Sequence, residues 1–199
     1  TQLTLRKMLV IFQFVIAQVF IISAIIIGHQ LNYTLNKDLG YEYDAIVTQN
    51  MPYKNYQGGT IDPQIYKNAL EKYPEFESIT RGHSPQSNNH WITVFYLNTD
   101  TGKMQLTTGQ KMMDPNFLDF YNIKLVAGEN LKESGAMNEI IINETAAQML
   151  GFRNAQDAIG KTMTSINDPN LELPIVGVVK DFYQQACQTA IVPSGMRAS

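Results

Sequence analysis

The chain has one cysteine, Cys187, in 199 residues, so an internal disulfide is excluded. A bacterial periplasm tolerates that lack, whereas a small animal ectodomain is more often stapled by disulfides. Nothing around Cys187 suggests a nucleophile, and it reads as an ordinary small side chain. Histidine is also scarce, with only His29, His83 and His90. A clustered basic surface is missing as well. All 18 acidic residues but only 13 of the 15 basic ones lie beyond residue 28, a balance of −5. That argues against a nucleic-acid partner, which would need a basic face. The chain has neither an internal repeat nor a low-complexity tract.

Charge is absent altogether from Met8 to Gly28, a run of 21 residues interrupted only by Gln13, Gln18 and Ser23. A helix of that length spans roughly 30 Å, the hydrocarbon thickness of a bilayer, and pairs every backbone polar group internally. A buried core helix usually stops after 10–14 apolar residues. A cleaved signal peptide would show a shorter core and an A-x-A-like site, and this run has neither. Residues 8–28 therefore read as a transmembrane helix. Arg6 and Lys7 precede it, while the next basic residue is Lys37, so the flank 1–7 is expected in the cytoplasm and the main domain outside. Gln13 and Gln18 suit hydrogen bonds to neighbouring helices of a bundle. The start at Thr1 and the end at Ser199 without a second apolar run suggest a piece of a longer protein.

About 170 residues remain, enough for one domain with a real core or two small lobes. Leu31, Leu35 and Leu39, spaced by four, predict a helical stalk over 29–40 that ends at Gly40. A strand is expected at 44–48, closed by Met51-Pro52. After Gly58-Gly59, a helix opens at Asp62-Pro63 and runs to about Tyr73, where Pro74 stops it. A strand at 76–80 would complete a β-α-β unit. Trp91 to Leu97 and a second strand from Met104, with turn residues between them, predict a hairpin, mostly exposed. A short helix over 116–121 and an extended segment over 123–126 follow. The run Ile140 to Ile142 is a buried strand, Glu144 to Leu150 a helix stopped by Gly151, and Ile159-Gly160-Lys161 a turn into a short strand. Leu173 to Val179 is the last clear strand. The fold class is α+β, a mixed α/β domain over 41–199.

Chemistry is hard to find. Gly160-Lys161-Thr162 looks like the end of a phosphate-binding loop, but that motif needs a glycine at position 155, where Ala155 stands. ATP binding is rejected. Asp and Glu are absent from Gly82 to Leu97, so His83 and His90 lack companion metal ligands. Ser84 or Ser87 beside His90 has no strained nucleophile turn. Glu144 and Asp181 are a conceivable carboxylate pair, although Asn143-Glu144 also fits the start of a helix. We expect no catalytic, cofactor-binding or metal-ligating residue, no cofactor and no enzyme.

An ordered set of short motifs carries more information. Ala127-Gly128-Glu129-Asn130-Leu131 is followed by Ile140 to Ile142 with Asn143-Glu144-Thr145-Ala146-Ala147, then Leu150-Gly151 and Ile159-Gly160-Lys161. Ile175 to Val179 with Gly177, then Lys180-Asp181-Phe182, closes the set. This order resembles the MacB-like periplasmic core domain of FtsX-type ABC transporter permeases. Arg6-Lys7 with the apolar run, and Asp38-Leu39-Gly40-Tyr41, resemble the opening helix and linker of such permeases. Glu129 departs from the family's usual arginine, which puts any salt bridge of that arginine in doubt. Independently of the family, Gly128 suits a tight turn and Gly177 a strand packed against another backbone.

The resemblance implies a permease subunit, in a bacterial inner membrane with its domain in the periplasm. It would work with a cytoplasmic ABC ATPase subunit, a second permease copy or sister subunit, membrane lipid and a periplasmic partner. The periplasmic domain would couple ATP hydrolysis by the ATPase to export, extraction or partner activation. The membrane-proximal lobe is expected to be incomplete. The rival reading is the extracytoplasmic sensor domain of a membrane receptor, since fold type alone does not choose function.

Overall fold

The computed structural model describes residues 2–50, 62–86, 91–99, 102–132, 138–185 and 189–198. The chain divides into two compact units, Thr1–Asp38 and Leu39–Ser199.

The first unit is one α-helix, α1 (Gln2–Asn36). Its stretch Thr4–Asn36 is long and apolar enough to cross a membrane and has no buried residue. Exposure of side chains such as Phe12, Phe14, Phe20 and Ile27 would be costly in water and favourable in lipid. The helix ends at Asn36, four residues before Gly40, so the stalk is helical over a shorter stretch than its leucine spacing predicts. Near this end Asn36 donates to the Asn32 carbonyl at 2.9 Å.

The second unit is built on a seven-stranded mixed sheet. Its strands are β1 (Trp91–Thr99), β2 (Gly102–Met113), β3 (Leu125–Gly128), β4 (Ile140–Asn143), β5 (Thr162–Ser165), β6 (Glu172–Val179) and β7 (Ser194–Ala198). The order is β3-β6-β4-β7-β2-β1-β5, and β6 also pairs with β5, so the pairings from β6 round to β5 return to β6. Among the described residues, three helices, α2 (Pro63–Leu70), α3 (Phe117–Phe120) and α4 (Glu144–Met149), and one 3₁₀ turn over Ala155–Ala158 accompany the sheet. The α+β class stands.

Two apolar clusters form the core. One gathers Phe95, Leu97, Leu106, Ile140, Ile142, Leu150, Met163 and Leu173. The other gathers Tyr41, Met113, Phe117, Tyr121, Ile141, Phe182 and Met196. Ile141 and its neighbours in β4 thus serve opposite clusters, as the two-residue strand period requires. This explains why the unbroken run Ile140 to Ile142 is buried throughout.

Several expectations need correction. Residues 44–48 and 76–80 are not strands, and no β-α-β unit forms there. Their β-type composition is present, but no described strand offers them a ladder of hydrogen bonds. The hairpin β1–β2 is not mostly exposed: β5 pairs with β1 and β7 with β2, so it lies within the sheet. Phe95 and Leu106 on it are almost completely buried. The helix at Asp62-Pro63 forms, capped as predicted by the Asp62 carboxylate accepting from Gln64 N–H, but it ends at Leu70. Beyond Val179 lies a further strand, β7, parallel to β2 and antiparallel to β4.

Candidate functional site

The chain enters the second unit through Leu39, Gly40 and Tyr41, and these residues rest on the segment leaving β6. Tyr183 N–H donates to the Leu39 carbonyl at 2.8 Å. Gly40 has φ of +81°, and a Cβ there would lie 2.8 Å from the Asp181 carbonyl and 3.0 Å from Phe182 Cα, so only glycine fits. The Tyr41 ring stands edge-on to Phe182 and Tyr121, with centroids 6.3 and 6.2 Å away. Such edge contacts suit the quadrupoles of the rings. Glu42 N–H donates to the Tyr121 carbonyl at 2.8 Å, and the Glu42 carboxylate accepts from the Asn122 amide at 2.6 Å. Tyr121 packs in turn against Phe117 and Phe120 of α3.

Immediately behind this junction lies the conceivable carboxylate pair. The structure brings Glu144 and Asp181 together, but as hydrogen-bond acceptors. Asp181 Oδ1 accepts from the Asn143 amide at 2.8 Å and from Thr145 N–H at 3.0 Å, and Oδ2 accepts from the Thr145 hydroxyl at 2.7 Å. Glu144 Oε2 accepts from Asp181 N–H at 3.1 Å. The two carboxylates thereby tie the exit of β6 to the first turn of α4. Asn143 caps that helix, accepting from Ala146 N–H at 3.1 Å.

A polar cleft of about 340 Å³ opens beside the junction. Residues 46–50 form one side, Thr80, Gly82, His83 and Ser84 another, and Phe117, Phe120 and Tyr121 the aromatic side. Lys111 of β2 lies buried next to it, its amine donating to the Ser84 carbonyl at 3.0 Å. Burial lowers this amine to about 8. Burial also pushes the Tyr121 phenol up, opposed by its hydrogen bond with the Ser84 side chain. A groove of about 470 Å³ lies elsewhere, along Gly128, Glu129, Lys132, Glu139 and Gly160.

The remaining sequence candidates have structural partners or fall outside the described residues. His83 Nδ1 accepts from Met112 N–H at 3.2 Å, and His83 N–H donates to the Met112 carbonyl at 2.8 Å. Ser87, His90 and Cys187 lie outside the described residues. Gly160 N–H and the Lys161 carbonyl both bond Ile175, which pins the turn to β6 rather than opening it to a phosphate. Among the described residues no cluster of three or more His, Cys, Asp or Glu could hold a metal. Sequence reasoning missed the ion pair of half-buried Lys67 with buried Asp114, at 2.9 Å, and the buried Lys111. Asp114-Pro115 carried a signal only as a helix start, and Lys111 stands in a polar stretch with no apolar alternation to flag it.

No curated protein matches the chain. Among solved structures, the periplasmic region of MacB from Actinobacillus actinomycetemcomitans is similar at 16% identity, covering 67% of this chain and 54% of its own, with a TM-score of 0.47. A domain of a putative permease protein from Porphyromonas gingivalis is 21% identical, covering 66% of this chain and 54% of its own, with a TM-score of 0.49. The extracellular domain of the noncanonic ABC-type transporter YknZ from Gram-positive bacteria is 10% identical, covering 66% and 59%, with a TM-score of 0.46. The chain thus spans little more than half the length of these structures. The family model of the MacB-like periplasmic core domain matches residues 8–198, nearly the whole sequence. The chain belongs to the family of MacB-like periplasmic core domains.

Proposed function

We propose that this chain is part of a permease subunit of an ABC transporter, its domain in the periplasm and its N-terminus in the cytoplasm. Residues 8–28 cross the inner membrane, and 29–40 carry motion from the membrane to the domain. A cytoplasmic ABC ATPase subunit supplies the motion by closing and opening on ATP. A second permease copy or a sister subunit completes the membrane part, and a periplasmic partner receives the output. The domain transmits force and performs no catalysis.

Family membership supports the permease reading. The observation that carries the coupling is the seating of Leu39–Tyr41 on Asp181–Tyr183. A displacement delivered at Leu39 acts on a backbone bond, a glycine contact and a ring cluster at once. From there Asp181 passes it to α4 and β4 through Thr145 and Asn143. Packed interfaces of this kind respond by switching between discrete arrangements rather than by yielding continuously. The carboxylates Glu144 and Asp181 are engaged in these bonds, which supports a mechanical role over an acid–base one.

Replacing Leu31 and Leu35 by proline breaks the helix between membrane and domain. The double variant is expected to insert and to support ATP hydrolysis by the partner, but to lose transport. Normal transport by this variant contradicts the coupling.

A further inference from the structure

Strand β2 is paired with β1 only as far as Gln110, which faces Trp91. β7 occupies the other edge of β2 through Met113, so on the β1 side its last residues are met by residues 80–84, with Gly82 opposite Met113. Asp114 N–H donates to the Arg81 carbonyl and His83 N–H to the Met112 carbonyl, both at 2.8 Å. A regular antiparallel ladder would return a bond from Met112 N–H to the His83 carbonyl. Here Met112 N–H donates to the His83 ring instead, reaching Nδ1 at 3.2 Å. The segment is also held at both ends. The Thr80 hydroxyl donates to the Asp114 carboxylate at 2.5 Å, and the Lys111 amine donates to the Ser84 carbonyl at 3.0 Å. A Cβ on Gly82 would lie 2.7 Å from the Met112 carbonyl, so the segment lies directly on the strand.

We propose that residues 80–84 are an acid-released clasp on the end of β2, with His83 as the group that senses the proton. A neutral ring that accepts at Nδ1 carries its proton on Nε2. A second proton can only go to Nδ1, where it meets Met112 N–H donor to donor, and the bond is lost. The titratable and charged groups that meet the segment are Lys111 of β2, Asp114 just after it, Lys67 of α2, Tyr121 of α3 and Arg81 within the segment. Lys111 is buried and charged below about 8, and it repels an imidazolium formed one residue from its own contact at Ser84. Asp114, the carboxylate of this group, is already engaged by Lys67, the Thr80 hydroxyl and Arg81 N–H. The Tyr121 phenol, pushed up by burial, stays neutral. Thr80, Gly82, His83 and Ser84 form one side of the polar cleft, so release opens the cleft on that side. This device goes beyond the coupling reading and does not depend on it.

Hydrogen exchange on the whole chain in detergent, read against His83→Asn at the same pH, tests the clasp. The side-chain oxygen of asparagine can stand where Nδ1 stands, and it does not titrate. At about pH 7 the two chains are expected to exchange alike at the amides of residues 83, 112 and 114. At about pH 5 the wild type is expected to exchange these amides about tenfold faster than the variant, while β4 and β6 keep their rates. Nitrogen NMR of the His83 ring in the wild type is a second readout, and it decides the case if the variant has lost the bond at both pH values. Loss of protection at Met112 should follow protonation of that ring. Equal rates in wild type and a folded variant at both pH values overturn the proposal. So does a loss at Met112 that tracks another group or spreads through β4 and β6.

Discussion

The side-chain amide of Asn143 donates to the Asp181 carboxylate at 2.8 Å, and that bond joins the end of β4 to the exit of β6. Asn143 is fully buried and uses its whole hydrogen-bonding capacity. It also donates to the Val192 carbonyl at 3.1 Å and accepts from Ala146 N–H at 3.1 Å and Ser194 N–H at 2.9 Å. Asn143→Asp keeps the shape and both accepted bonds but sets a carboxylate oxygen against Asp181 and the Val192 carbonyl. We expect a loss of about 3 kcal/mol or more at neutral pH. Denaturant unfolding of wild type and variant at neutral pH measures the loss.

Gly128 and Gly177 face each other across β3 and β6. A Cβ on Gly177 would lie 2.4 Å from the Glu129 carbonyl, and one on Gly128 2.2 Å from the Val176 carbonyl. The obstacle is backbone in both cases, which cannot rotate aside. Gly177→Ala is expected to cost about 3 kcal/mol or to prevent folding. Gly160→Ala, where nothing lies within 4 Å, should cost only about 1 kcal/mol for its positive φ. The difference in thermal midpoint between the two variants checks the ranking.

Lys111 gives the stability a pH signature. Its amine titrates at about 8 in the folded chain and at 10.5 when unfolded. Between those values the unfolded state binds the extra proton, so stability should rise as pH increases from 8. Below pH 8 both states are protonated and the burial penalty is constant, on the order of 3 kcal/mol. Lys111→Met should therefore be more stable than wild type at pH 7, with the advantage shrinking by pH 9.5. Unfolding midpoints of the pair over that range measure it, and a constant difference contradicts the assignment.

Much of the fold was legible where a local signal and the tertiary context agreed. Asn143 and Glu144 marked a helix start because the cap bond is local, and Gly151 marked its end. Turn chemistry and β-branched residues gave the hairpin from Trp91. The strand β7 was not legible: Ser194-Gly195-Met196-Arg197-Ala198 has no β-branched residue and no alternation. It is a strand because β2 and β4 flank it on both edges. The reverse held at 44–48 and 76–80, where suitable residues found no described partner strand. Gly40 was visible as the glycine ending the stalk and within a linker resembling the family's, but not as a packed junction. Its contact with Asp181 and Phe182 joins residues about 140 positions apart, and local pattern carries no record of such a pairing.

Tyr41 tests the junction without touching the membrane helix. Tyr41→Ala removes the ring that stands between Phe182 and Tyr121. Truncating a buried aromatic costs about 3–5 kcal/mol. Tyr41→Phe, which keeps the ring, should retain both stability and transport. Transport assays on membranes carrying equal amounts of each variant separate the two.

The central claim is coupling to an ATPase, and the most direct measurement is to isolate the protein from its native membranes in mild detergent and identify what accompanies it. The account predicts a stoichiometric P-loop ATPase whose hydrolysis rises in the complex. A well-solubilised protein without an ATPase, joined instead to a kinase or a signalling helix, would contradict it and favour a sensor.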